Sequence, residues 1–340
     1  MIGKSSSFFI AGVLTGLLVA CGVGSFVLRP GKQADSAQTG KTVLKLAHGL
    51  DESHPVHRAM LFMKGRLEEL TGGKVTLDVY SGGVLGGENE CLEQVQQGEL
   101  AMTKVSTAAL ENFLPEMKVF SIPFAFRDRN HFWNTLHSQI GRDLLQLGVA
   151  RNFKGLCYYD SGDRNFYSTS KAIRKVEDVG MMKIRVMPSR TAKDMIQAMG
   201  GSPCPINWGE LYTALQQGMV DAAENNFPSF ITSRHFEVCK YFTLSAHQMI
   251  PDMMIISTKV WDKLPPDVQA ALQKAADESE AFQRKLWEEM TEECRKTTLE
   301  KGIEIITPDR EGFRKACAPI IDRPDYADIR KLYSQIQEVK

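Results

Sequence analysis

Apolar residues along this chain recur in two rhythms, and the switches between them mark out its elements. Val43-Leu44-Lys45-Leu46-Ala47 alternates and predicts a strand. Ser53 and Pro55 are helix-start signals. Ala59, Met60, Met63, Leu67 and Leu70 then follow at helical spacing until Gly72-Gly73. Val75, Leu77 and Val79 alternate again, a Gly-rich loop runs from Ser81 to Gly87, and Leu92 and Val95 share one face of a helix that Gly98 stops. The same order returns later. Ile184 to Val186 predicts a strand, and Ser189 opens a helix carrying Ala192, Met195, Ile196 and Met199 up to Gly200-Gly201. Ser202 to Ile206 fits a short strand, and Glu210 to Gln217 a helix stopped by Gly218. Both copies end alike, in Val95-Gln96-Gln97-Gly98 and Leu215-Gln216-Gln217-Gly218. A repeated strand–helix–strand–helix order predicts two similar α/β lobes, with ligand-binding loops at the carboxyl ends of the strands and between the lobes.

Two segments stand apart. From Pro266 to Gly302 there is no internal proline or glycine, while Val268, Leu272, Ala275, Ala276, Phe282, Leu286, Met290 and Cys294 keep near-helical spacing. At about 1.5 Å per residue that is a helix on the order of 50 Å long, enough to brace both lobes. The alternative is two helices broken near Ser279. The other segment is the apolar run Ser7–Leu28, which follows a short start with one cation, Lys4. It predicts export. Leu18-Val19-Ala20-Cys21 resembles the bacterial lipoprotein cleavage box, in which Cys21 is lipidated. The run is also long enough to remain as an uncleaved anchor. Residues 29–41 are polar and suit a tether.

Composition narrows the function classes. The 340 residues suit about two domains. Lys plus Arg and Asp plus Glu both number 41, so no basic excess points to nucleic acid. With one apolar run, contact with the membrane is expected through the N-terminus alone. Beyond Cys21, the six cysteines Cys91, Cys157, Cys204, Cys239, Cys294 and Cys317 have no CxxC spacing. They act either as buried small hydrophobes or as pairs that the sequence cannot connect.

Searches for chemistry return little. There is no GxSxG elbow, no HExxH and no P-loop. His48, His54 and His57 lie close together but at a strand end and a helix start, which does not support a metal site. No cofactor is implied. Arginine is more informative. Arg185 interrupts the apolar strand Lys183-Ile184-Arg185-Val186-Met187, and Arg164 sits in Asp160-Ser161-Gly162-Asp163-Arg164-Asn165-Phe166-Tyr167. A buried charge is costly unless paired. The guanidinium fork fits a carboxylate, whether that of a ligand or of an internal Asp or Glu.

Several segments, in order, carry a family resemblance: Gly86-Gly87-Glu88 with Glu93-Gln94-Val95-Gln96-Gln97-Gly98; Phe120-Ser121-Ile122-Pro123-Phe124-Ala125-Phe126; Lys183-Ile184-Arg185-Val186; and Trp208-Gly209-Glu210-Leu211-Tyr212-Thr213-Ala214-Leu215-Gln216-Gln217-Gly218-Met219-Val220-Asp221 continuing into Glu224-Asn225-Asn226. From about Thr42 to about Pro319 the chain resembles the extracytoplasmic solute receptors of tripartite ATP-independent periplasmic (TRAP) transporters, the DctP-like family. It departs from the family pattern at Met181 and Ala222, where glycine is usual.

The resemblance implies a two-lobed α/β periplasmic binding protein, closing on its ligand and braced by the long helix. Lobe I would comprise residues 42–162 plus about 252–285, and lobe II residues 163–251 plus about 286–340. It implies that Arg185 holds a carboxylate, with Arg164 a second cation as in relatives that resemble sugar-acid receptors. Asn225 would bond the carboxylate or a neighbouring hydroxyl. Glu88 and His48 would meet hydroxyls. Glu210, Phe227 and His247 are further candidates, with capping of its own helix the alternative role for Glu210. Such a set suits a hexuronate such as glucuronate or galacturonate, delivered in the periplasm to a pair of membrane permease subunits. The rivals are a receptor for C4-dicarboxylates or other carboxylates, and a sensor presenting its closed form to a membrane kinase. An enzyme using Glu88 and Glu93 as paired carboxylates lacks a supporting motif.

Overall fold

A computed structural model describes residues 40–340. The N-terminal apolar run, Cys21 and the tether up to residue 39 lie outside the described residues. Short apolar runs bounded by turn residues build eleven strands among them: β1 (Thr42–Ala47), β2 (Val75–Tyr80), β3 (Met102–Ser106), β4 (Phe153–Tyr159), β5 (Asp163–Ser168), β6 (Lys183–Val186), β7 (Ser202–Pro205), β8 (Ala222–Asn225), β9 (Tyr241–Met249), β10 (Asp252–Ser257) and β11 (Glu304–Ile306). They form two sheets, ordered β2-β1-β3-β10-β4 and β11-β9-β5-β8-β6-β7.

The two sheets share one plan. β1 lies parallel to both β2 and β3, and β6 lies parallel to both β7 and β8. Next to β3 and β8, each sheet takes an antiparallel strand, β10 in the first and β5 in the second. The molecule is therefore a two-lobed α/β protein, and the chain passes between its sheets three times, the last along the Pro266–Glu300 helix between β10 and β11. The two short crossovers are Asp160–Gly162, between β4 and β5, and Ile250–Pro251, between β9 and β10.

The first helix, Pro55–Leu70, starts one residue later than its Ser53 signal suggests. His54 is the cap, its Nδ1 accepting from the Val56 N–H at 3.3 Å, while the Ser53 hydroxyl donates to Asp51. Met181 stands at φ +66°, in the left-handed region where a glycine would be at ease. The long helix is unbroken from Pro266 to Glu300. Ser279 does not interrupt it. Its side chain is buried, bonded to the Tyr159 hydroxyl at 2.7 Å and to the Ala276 carbonyl at 2.7 Å. This brace packs on the first helix and β4 of one lobe, and on β11 and the Phe227–Thr232 helix of the other. The last helix, Arg330–Glu338, reaches back to residues before β4, where Arg127 donates to the Gln337 carbonyl at 2.9 Å. All six described cysteines are free thiols, five buried and Cys204 half-buried.

Candidate functional site

The carboxyl ends of the parallel strands face a cavity of about 480 Å³. Lobe I contributes the Gly-rich loop, Glu88, Lys104 and Ser106. Lobe II contributes Arg185, Trp208, Asn225 and Ser229. Ser161, Arg164 and Asp252 line it beside the two crossovers, and Trp287 of the brace closes one side.

Arg185 comes from β6, between Ile184 and Val186, and is 2% exposed. Its Nε donates to the Ile206 carbonyl at 2.8 Å, and the Trp208 ring centroid lies 5.6 Å from the guanidinium. Nη1 is buried with no hydrogen-bond partner. No described Asp or Glu forms a salt bridge with it. Burial pulls its proton affinity below the ordinary arginine value.

Arg164 also lines the cavity, but its charge is already matched. Nε and Nη2 grip the Glu224 carboxylate, the latter at 2.9 Å, and Nη1 donates to Asn225 Oδ1 at 3.3 Å. Burial opposes ionisation of Glu224, yet Arg164 and, after it, His247 together more than offset it and hold this carboxyl down to about 2. The expected second free fork is therefore half of an internal ion pair. Asn225 Oδ1 further accepts from the Asn226 backbone N–H at 3.0 Å and from Asn226 Nδ2 at 2.9 Å. With its oxygen so occupied, the Asn225 amide NH₂ is the end left to a guest. Asn226 itself caps the Phe227–Thr232 helix through Ser229 N–H at 2.8 Å and ties it to the Ser161 carbonyl at 2.8 Å.

Glu88 is the first residue of the Glu88–Gln97 helix. Its Oε1 accepts from Lys104 Nζ at 2.8 Å and from the Ser106 N–H at 3.1 Å. Oε2 has no partner among the described residues. Lys104, from β3, also meets Asp252 Oδ2 at 3.2 Å. Burial works against the ammonium, but Asp252 and Glu88 raise its proton affinity above the ordinary lysine value.

Three expected contacts fall elsewhere. His48 does not line the cavity. Its Nε2 pairs with His57 Nδ1 at 2.9 Å and its Nδ1 accepts from the Leu50 N–H at 3.2 Å, so both ring nitrogens are used internally. His54, one turn of chain later, does line it and meets the Ser229 hydroxyl of the other lobe at 3.2 Å. Phe227 packs in the lobe II core, stacked on Phe242 with centroids 4.2 Å apart. His247 is fully buried behind Arg164, its Nδ1 on the Ser245 hydroxyl at 2.9 Å and its Nε2 3.6 Å from Glu224. Glu210 is exposed at the cavity margin and makes no side-chain cap bond to the Leu211–Gln216 helix. Among the described residues no three side chains converge as metal ligands.

Lys104 and Asp252 were missed at sequence level, although their signal is that of Arg185. Lys104 interrupts Met102-Thr103-Lys104-Val105, and Asp252 heads Met253-Met254-Ile255-Ile256.

Residues 46–326 match the family model described as bacterial extracellular solute-binding protein, family 7. The uncharacterised protein YiiZ of Salmonella typhimurium is 36% identical over 304 residues, 88% of this chain and 93% of that one. Among solved structures, a TRAP periplasmic solute-binding protein from a Bradyrhizobium species, in complex with galacturonate, is 36% identical. It superposes with a TM-score of 0.83 over 87% of this chain and 98% of its own. One from Pseudomonas putida F1, with bound D-glucuronate, is 34% identical with a TM-score of 0.84, over 88% and 97% of the two chains.

Proposed function

The chain belongs to bacterial extracellular solute-binding protein family 7, and from that premise we propose that it is a TRAP transporter receptor for a sugar acid, a hexuronate such as glucuronate or galacturonate. The observation that carries this is Arg185, a buried guanidinium on the cavity wall with one buried, unpartnered nitrogen and no carboxylate partner among the described residues. A guest carboxylate supplies the missing acceptor. Each charged hydrogen bond so formed contributes roughly 1.5–3 kcal/mol. Around it, the Asn225 amide donates and Glu88 Oε2 accepts, as the hydroxyls of a sugar require. The bound ligands of the two similar structures are hexuronates.

The lobes close on the acid by rotation about the two crossovers. No reaction follows: the ligand passes unchanged to a membrane permease pair. The protein works in the periplasm, exported by its N-terminal apolar run and held there by lipidated Cys21 or by the run itself. No helix among the described residues is long and apolar enough to cross a membrane.

Isothermal titration against uronates, aldonates, C4-dicarboxylates and α-keto acids tests the substrate class. A sugar acid is expected to bind most tightly, and Arg185→Ala to weaken it by about 100-fold or more, the equivalent of about two lost charged hydrogen bonds. Tightest binding of a C4-dicarboxylate, or an Arg185→Ala variant with undiminished affinity, would sink the proposal.

A further inference from the structure

Three cationic side chains of the described chain line the cavity, and their states differ. Arg164 is matched by Glu224, and Arg185 is unmatched. Lys104 is matched twice, with Glu88 Oε1 at 2.8 Å and Asp252 Oδ2 at 3.2 Å. One ammonium between two carboxylates leaves this cluster an excess negative charge when both are ionised. The cluster is also rigidly built. Lys104 and Asp252 sit on the paired strands β3 and β10, their side chains 6% and 9% exposed. Glu88 is fixed by the Ser106 N–H. Its side chain is 25% exposed, and its second oxygen is unused. The cluster belongs to the wall of lobe I and Arg185 to that of lobe II, so a guest bridging the cleft meets both.

We propose that Glu88, Lys104 and Asp252 act together as a charge filter that limits the guest to a single carboxylate. The inference rests on the sugar-acid reading and narrows it, to uronates and aldonates as against hexarates and short dicarboxylates. A hydroxyl brought to this wall donates to Glu88 Oε2, and the third N–H of Lys104 serves its oxygen. A second guest carboxylate has no proton to donate. It meets a wall whose one cation is already shared, in a water-poor cleft where like charges repel more strongly than in bulk water. Glu90 and Glu210, which also line the cavity, add to that repulsion.

The test is calorimetric titration of the full chain at neutral pH with galacturonate, galactonate and galactarate, and with glucuronate, gluconate and glucarate. Each hexarate shares the open chain and hydroxyl stereochemistry of its aldonate and has a second carboxylate in place of the terminal hydroxymethyl group. The better-bound aldonate is expected to exceed its hexarate by at least about 100-fold in affinity. Glu88→Gln keeps an oxygen for Lys104 and Ser106 but removes the charge. It is expected to narrow that ratio at least tenfold, chiefly by tighter hexarate binding. Asp252→Asn removes the same excess charge from another strand and is expected to do likewise, with circular dichroism confirming the fold of each variant. A wild-type ratio within threefold overturns the filter even if neither variant folds, as does an unchanged ratio in both folded variants. Failure of every sugar acid to bind wild type instead overturns the substrate class, and the filter with it.

Discussion

A buried guanidinium with no counter-ion destabilises the folded chain until a guest supplies one. Arg185 and Arg164 separate this effect from ordinary ion pairing, because both are buried in one cavity and, among the described residues, only Arg164 has a carboxylate partner. Replacing Arg185 by methionine removes an uncompensated charge, so the unligated protein is expected to keep or gain stability while losing ligand affinity. Arg164→Met leaves Glu224 buried without its cation and is expected to cost about 3–5 kcal/mol. Urea unfolding of the two unligated variants checks this, and a large loss for Arg185→Met would show that the guanidinium is a structural strut. The same contrast shows what was legible at this scale. A charge inside an apolar strand pointed to Arg185, and the same signal marks Lys104. Whether such a charge is free or paired depends on residues distant in sequence: Glu224 lies sixty positions from Arg164, and Asp252 much further from Lys104. His48 was misplaced for a local reason. Its neighbours Gly49 and Leu50 turn into the cavity while its own ring is held back by His57.

The elements that matter most for motion are the two crossovers and the helix that clamps them. Gln283, buried in the brace, accepts from the Asp160 N–H at 2.8 Å and donates to the Asp160 carbonyl at 2.9 Å. Gly162 follows at φ +61°, and a Cβ there would stand 2.8 Å from the Trp287 indole nitrogen, so only glycine fits against the brace. The Ser161 hydroxyl donates to the Ile250 carbonyl, joining the two crossovers. Gln283→Ala strands two buried backbone groups. It is expected to lower unfolding free energy by about 2 kcal/mol or more, and to speed hydrogen exchange at Asp160 ahead of exchange in the sheets. Exchange unchanged at Asp160 would argue against the clamp. The brace was legible because nothing between Pro266 and Gly302 interrupts a helix. Of the parallel strands, β1, β2, β6 and β7 were legible because helices with clear stop signals follow them, whereas β3, β8 and β11 were not read. The exchanged strands β5 and β10 were not, since their partners are chosen by tertiary pairing with β8 and β3 rather than by any local pattern.

At the scale of the whole molecule, two lobes of one plan bury several histidines as neutral rings, which makes the fold acid-sensitive in a definable window. Burial, then the nearby charge of Lys104, holds His48 down to about 3, and burial followed by Arg185 does the same to His235. His54, at the lobe contact, is lowered well below its ordinary value, again chiefly by burial. In the unfolded chain these rings take up protons near pH 6.5. Below that pH the unfolded state therefore binds protons that the folded state refuses, and stability falls as pH falls. Each such histidine contributes a loss of about 1.4 kcal/mol by one unit below its unfolded value. Glu224 has the depressed carboxylate's window instead. Its contribution is full above 4.5 and is lost as pH drops towards 2, so it does not act between pH 7 and 5.5. Raised carboxylates such as Asp252, pushed up chiefly by burial, work with the opposite sign. Unfolding free energy measured by urea titration is thus expected to drop by several kcal/mol between pH 7.5 and 5.5, with His48→Gln removing that ring's own share of about 1.4 kcal/mol. A flat profile across that interval would mean that the buried rings are protonated in the folded protein.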